Sequence, residues 1–232
     1  LSLDLREKDT TGKLSVVVPS LQKIVIETPS LEYLKFGDHN AYDHYCLIEN
    51  MPNLIEAYIE VALPNINSLI ESITHVKRLT ICSEAMYDGS FVFIQLEHLE
   101  LCTCNTIAPD LLVRLLKESS NLQVLDVSMM EVSLFVKQLF VLSDAQNGFS
   151  PNSCNQPSPV PECMLSSLQT FKWLDYTGEP TERDLVVYIL QNAVHLKTTR
   201  ITLNECHVPK SEMIKELARS SRASTKCQLI FD

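Results

Sequence analysis

Cys102-x-Cys104, with His98 four residues before Cys102, is the densest set of metal-type ligands in the chain. Structural zinc sites are usually built from two such pairs, because four ligands close the tetrahedron. No second pair follows, so one outward thiol on a strand and one thiol in the turn after it is the simpler reading. His39, His44 and Cys46 lie near Asp38 and Asp43, and that group reads as a polar loop after a strand. Serine, histidine and acids are all present, but no G-x-S-x-G elbow lifts a serine out of a sheet. Gly89-Ser90, after Tyr87-Asp88, reads as a turn. Glu97 and Glu100 stand at an odd offset on a predicted strand and so face opposite sides. The five glycines, at 12, 37, 89, 148 and 178, are too scattered for a P-loop or a dinucleotide fingerprint, which cluster glycine where backbone approaches phosphate. No catalytic, cofactor-binding or metal-ligating residue is therefore expected. The chain is read as not an enzyme, with a hydrolase kept only as a remote alternative.

The elements that carry these residues follow from a repeat. The chain has 232 residues, 45% apolar and 21% charged, with a net charge of −10; that is the balance of a folded chain. It carries no basic run to neutralise phosphates, so nucleic acid is not an expected partner. No apolar stretch approaches the ~18 residues of a membrane span, so no membrane partner is expected. An approximate L-x-x-L-x-L pattern recurs at Leu21/Ile24/Ile26, Leu31/Leu34/Phe36, Leu54/Ala57/Ile59, Val76/Leu79/Ile81, Leu96/Leu99/Leu101, Leu122/Leu125/Val127, Leu168/Phe171/Trp173 and Leu196/Thr199/Ile201. The starts are separated by 10, 23, 22, 20, 26, 46 and 28 residues, mostly within or near the 20–29 window of the leucine-rich repeat. Alternate strand residues share a face, so the last two apolar positions of each unit point inward. One unit cannot bury that face alone, and stacking makes a continuous core. The repeat consensus also wants Asn or Cys three places after the last apolar strand residue, and only Cys104 and Asn204 fill that place well.

Helices are predicted in the returning segments. One opens at Pro64-Asn65 with Ile66, Leu69, Ile70 and Ile73. Another opens at Pro109-Asp110 with Leu111, Leu112, Leu115 and Leu116; proline suits the first helical position. Val132, Phe135, Val136, Leu139 and Phe140 follow helical spacing. Thr181 to Val194 and Ser211 to Arg219 give two more, and the tail Cys227 to Phe231 reads as a short strand. Ten residues from Leu21 to Leu31 cannot hold a strand, a return and a second strand, so the first unit is either cut short or its strand misassigned. The fold class is α/β: a leucine-rich-repeat solenoid, a curved parallel sheet with helices on the convex side, continuing into a C-terminal domain.

Residues between the inward positions face out along the concave side, where solenoids bind. The candidate partner-binding residues are Tyr33, Glu56, Tyr58, Arg78, His98, Glu100, Asp126, Lys172 and Arg200. Trp173, at the last inward position of its unit, is expected to be buried. Cys82 and Cys102 each follow the last inward residue of consecutive units and are expected side by side on the concave face. They are read as free thiols: the eight cysteines sit in a long chain with no secretion signal, which argues for a reducing compartment, cytoplasmic or nuclear.

From Val160 onward the chain resembles the FBD domain of plant F-box proteins. The residues that carry this are Val160 to Leu168, Phe171-Lys172-Trp173, Tyr188 to Ala193, Leu196-Lys197 and Arg222 to Asp232. Thr28 to Lys35 and Ile48 to Leu54 are similar to the repeat region of the same family. The resemblance implies residues 1–142 as repeats, 143–159 as a Pro/Ser/Asn-rich linker and 160–232 as the FBD domain. It also implies a protein-interaction module like the substrate-recognising part of an F-box ubiquitin-ligase receptor, binding an unknown protein on the concave face. In that family an F-box, which binds a Skp-type adaptor, precedes the repeats. The roughly 20 residues ahead of Leu21 are too few for one, so a Skp-type adaptor is not expected to bind. A non-ubiquitin scaffold or an inert truncated product remain the alternatives. No cofactor is expected.

Overall fold

Most units begin with a tight turn that fixes where the strand starts. The N–H of the leading apolar residue bonds the carbonyl three residues earlier: Leu54 to Met51 (3.1 Å), Val76 to Ile73 (3.2 Å), Leu96 to Phe93 (3.4 Å), Leu122 to Ser119 (3.2 Å), Leu196 to Ala193 (3.4 Å) and Cys227 to Ser224 (3.4 Å). The next carbonyl then takes two N–H groups from the following unit. Ile55 O accepts from Lys77 and Arg78, Lys77 O from Glu97 and His98, Glu97 O from Gln123 and Val124, Gln123 O from Gln169 and Thr170, and Gln169 O from Lys197 and Thr198. The same connection therefore survives the 46-residue interval. Extra residues are taken up in the return and the strand start keeps its pairing, while the turn differs at Leu168, whose N–H bonds Cys163 O five residues back at 2.9 Å.

The computed structural model of the chain describes residues 13–17, 23–27, 30–38, 45–49, 51–61, 67–82, 91–103, 109–129, 159–204 and 208–232. The strands are β1 (Lys13–Val17), β2 (Lys23–Glu27), β3 (Tyr33–Asp38), β4 (Tyr45–Glu49), β5 (Glu56–Val61), β6 (Arg78–Cys82), β7 (His98–Thr103), β8 (Val124–Met129), β9 (Thr170–Tyr176), β10 (Thr198–Leu203) and β11 (Gln228–Phe231). The helices are α1 (Asn67–Ser72), α2 (Pro109–Glu118), α3 (Glu162–Ser166), α4 (Pro180–Asn192) and α5 (Lys210–Arg219). Among the described residues one nine-stranded sheet runs β1-β3-β5-β6-β7-β8-β9-β10-β11, with every neighbouring pair parallel. The architecture is α/β and solenoid-like. The strands expected after Leu54, Val76, Leu96, Leu122, Leu168 and Leu196 are consecutive neighbours in it.

The first units depart from the expectation. The strand after Leu21 exists as β2, but it pairs with β4 in a separate two-stranded parallel sheet. The strand that starts the main sheet is β1, which the leucine pattern did not mark. β2 lies between β1 and β3 in sequence, and β4 lies between β3 and β5. Two returning segments are therefore strands; Cys46, expected in a polar loop, lies in β4, and α1 packs beside that strand. The reason is composition: Lys23-Ile24-Val25-Ile26-Glu27 holds three consecutive β-branched residues, which favours a strand over a helix. This also resolves the ten-residue interval, since Leu21 and Leu31 lead strands of different sheets. The predicted helix over 132–140, most of the linker, and Cys104 lie outside the described residues.

Inward positions build one core. Leu34, Phe36, Ile59, Leu79, Ile81, Leu99, Leu101, Leu125, Val127, Phe171, Trp173 and Ile201 are buried in the same cluster as Leu111, Leu115, Val186, Ile189 and Leu217 of the helices. Trp173 is 0% exposed and makes edge-to-face contacts with Phe171 (6.1 Å) and Tyr176 (5.8 Å). Thr199 occupies an inward position that the pattern would fill with an apolar residue, and it is fully buried. Its hydroxyl lies 3.4 Å from Cys227 Sγ, which meets the need for a partner.

Candidate functional site

The parallel register turns the outward residues into straight rows across the strands. The first row reads Tyr33, Glu56, Arg78, His98, Val124, Thr170, Thr198 and Gln228. The second reads Lys35, Tyr58, Thr80, Glu100, Asp126, Lys172, Arg200 and Ile230. The described helices pack against the other face, so among the described residues these rows form the open face of the sheet. All nine candidate residues named from the sequence lie in these two rows. In-register neighbours sit about 4.8 Å apart, close enough for cross-strand pairing.

Opposite charges meet along the rows. Arg78 Nε donates to Glu56 Oε2 at 2.8 Å, an exposed pair of small energetic value. Lys35 Nζ stands 4.3 Å from the centre of the Tyr58 ring, a cation–π arrangement. Thr80 donates to Glu100 Oε2 at 3.2 Å, and Tyr58 Oη donates to Glu60 Oε2 at 3.2 Å. Arg200 reaches Asp232 Oδ2 at 3.1 Å, a partner from the tail that the pattern of repeats did not point to.

Asp126 is the hub of the face. Its Oδ2 takes Lys172 Nζ at 2.9 Å and His98 Nε2 at 3.2 Å. Its Oδ1 is buried without a partner. Burial pushes the Asp126 carboxyl up, but the hydrogen bonds and charges of His98 and Lys172 outweigh it and hold the carboxyl below the usual range. Three of the candidate residues, from β7, β8 and β9, are thus one hydrogen-bonded cluster.

Cys82 and Cys102 are directly opposed in register, as the sequence implies. Both are free thiols, but they are not exposed on the face: they are 3% and 5% accessible. Tyr58 accounts for part of this cover, since its Oη lies 3.7 Å from Cys82 Sγ. Among the described residues no group of three or more His, Cys, Asp or Glu is placed to hold a metal ion, and no helix is long and apolar enough to cross a membrane.

A buried acid that the sequence reading missed lies away from the open face. Glu182 is 4% exposed, and its Oε2 accepts from Thr177 N (2.8 Å), Thr177 Oγ1 (2.9 Å) and Gly178 N (3.1 Å). Its place in the first turn of α4, just after Pro180, was the available signal, because acids there bond free backbone N–H groups.

The family model FBD matches residues 156–201, the stretch that holds α3, β9, α4 and most of β10. An FBD-associated F-box protein of Arabidopsis thaliana is 47% identical over 235 residues, covering 95% of this chain and 55% of the relative. A second FBD-associated F-box protein of the same plant is 46% identical over 241 residues, covering 100% of this chain and 56% of the relative. The chain belongs to the FBD-associated F-box family. A relative named as an F-box/FBD/LRR-repeat protein, also from Arabidopsis thaliana, is 36% identical over 213 residues, covering 90% of this chain and 47% of that protein. This family chain therefore spans about half the length of the curated relatives it matches. No solved structure matches it.

Proposed function

We propose that this chain is a protein-recognition module: a leucine-rich-repeat solenoid, with residues 160–232 as its FBD unit, that engages a protein partner through the open face of its sheet. Within the whole protein it would select a substrate for an F-box-type ubiquitin ligase, and it has no catalytic role of its own. The observation that carries the reading is the open face itself. Tyr33, Glu56, Tyr58, Arg78, His98, Glu100, Asp126, Lys172 and Arg200 are aligned in two rows on the face of the sheet opposite the described helices. Tyrosine and arginine are residue types that anchor interfaces, and a rigid sheet presents them with little ordering cost. The names of the relatives point the same way, since they combine F-box, FBD and LRR-repeat.

The test compares two triple variants as bait in a plant extract. Tyr58→Ala, Lys172→Glu and Arg200→Glu alter the open face. Glu71→Ala, Lys117→Ala and Glu212→Ala alter exposed residues of α1, α2 and α5 on the other side. Proteins captured by the unmodified chain should be lost with the first variant and kept with the second. Equal capture by both would overturn the assignment of the open face.

A further inference from the structure

The thiol pair on β6 and β7 is not used by the recognition reading and stands independently of it. Cys82 and Cys102 are opposed in register and nearly inaccessible, on the face where their row neighbours are polar. Cys82 Sγ donates to Tyr58 Oη at 3.7 Å, so the pair lies under that side chain.

Such a pair has two chemical outlets. A disulfide requires Cβ atoms about 3.5–4.5 Å apart. Parallel in-register strands hold neighbouring residues about 4.8 Å apart with their Cα–Cβ bonds parallel, so a disulfide would have to draw the strands together. A cation bridging two thiolates makes no such demand. With metal–sulfur bonds of about 2.3 Å, the two sulfurs can remain up to about 4.6 Å apart. Thiolates select soft cations, chiefly cuprous copper and zinc. Zinc wants four ligands, and no larger donor group is present among the described residues. Cuprous copper is satisfied by two thiolates in line.

We propose that Cys82 and Cys102 form a bis-thiolate binding site for a soft monovalent cation of the cuprous type, set into the open face beneath Tyr58. The reaction is a ligand exchange with no redox step. One cuprous ion and two thiols give a bis-thiolate complex of charge −1 and two protons released to solvent. The carboxylates of Glu60 and Glu100 oppose the loss of those protons, and the metal–sulfur bonds must exceed that opposition.

The test titrates the full chain anaerobically, in mildly alkaline buffer, with cuprous ion presented by a coloured bicinchoninate competitor. Cys82→Ser and Cys102→Ser should each bind one ion fewer than the unmodified protein, while Cys163→Ser and Cys227→Ser bind the same amount. Thermal melts report whether each variant is folded. Amide hydrogen exchange on the unmodified protein localises the ion without any substitution. Copper should slow exchange in residues 78–82 and 98–103 and leave 198–203 unchanged. Uptake unaffected by Cys82→Ser and Cys102→Ser would overturn the proposal. So would exchange that copper does not alter at β6 and β7, or recovery of the pair as a disulfide.

Discussion

Trp173 and Asp126 show how differently two buried polar atoms can matter. The indole of Trp173 is fully enclosed, and its Nε1 has no hydrogen-bond partner. Replacing it with alanine removes the packing against Phe171 and Tyr176 and should cost about 3–5 kcal/mol. Trp173→Phe should cost clearly less, because it keeps a ring and removes a donor that is buried unpaired. Urea unfolding of both variants measures this, and equal losses would contradict the role given to the N–H. Asp126 is stabilised as an anion by His98 and Lys172. Its folded pKa is depressed, so its contribution is present above the unfolded carboxyl value of about 3.9 and is lost as pH falls through the folded value. The stability gap between the unmodified protein and Asp126→Asn should therefore narrow as pH is lowered through that window. A gap that stays constant with pH would remove the charge from the explanation.

At the level of elements, the end of β9 and its connection to α4 are held by several independent constraints. Asp175 (φ 59°) and Gly178 (φ 80°) both adopt left-handed backbone, which only glycine enters without strain. A Cβ at Gly178 would also meet Met213 Cγ at 3.0 Å and Sδ at 3.1 Å, and Val208 Cβ at 3.3 Å, so α5 and the chain entering it pack against this turn. Glu182 ties the same turn to α4 through Thr177 and Gly178. Glu182→Ala orphans these donors and should cost about 1–3 kcal/mol. Gly178→Ala should cost a similar amount, about 1–3 kcal/mol from backbone strain, before any displacement of Met213. Glu182→Gln keeps an acceptor and relieves burial of a charge, which pushes that carboxyl up, so it should be the mildest of the three. Thermal melts rank them, and a ranking with Glu182→Gln worst would refute the clasp.

At the scale of the molecule, the described residues from Leu31 to Cys227 share one core cluster, and β8 pairs with β9 in register across the long interval. Repeat arrays unfold as one when the interfaces between units are strong relative to the units. Calorimetry should therefore show a single transition, with calorimetric and van't Hoff enthalpies that agree. Trp173→Ala should shift that whole transition. Two transitions, only one of them sensitive to Trp173, would mean that residues 159–232 unfold separately from the strands before them.

The period and the inward positions were legible in the sequence because burial acts on each unit in the same way. Leu54/Ala57/Ile59 and Leu122/Leu125/Val127 must enter the core at the same offsets whatever lies between them. The same alternation placed Tyr58, His98, Asp126 and Lys172 on the open face and Cys82 beside Cys102. Leu21 misled because an apolar triad marks a strand but not the sheet it joins; pairing between distant segments decided that β2 meets β4. The clusters were likewise settled in three dimensions. His98, Asp126 and Lys172 are 28 and 46 residues apart, and only the register of β7, β8 and β9 brings one carboxylate oxygen within reach of both His98 and Lys172. Burial of Cys82 depended in part on where the Tyr58 hydroxyl comes to rest. A strand's own sequence fixes which face a side chain takes, but the neighbour that covers it comes from another strand, and only packing places that neighbour.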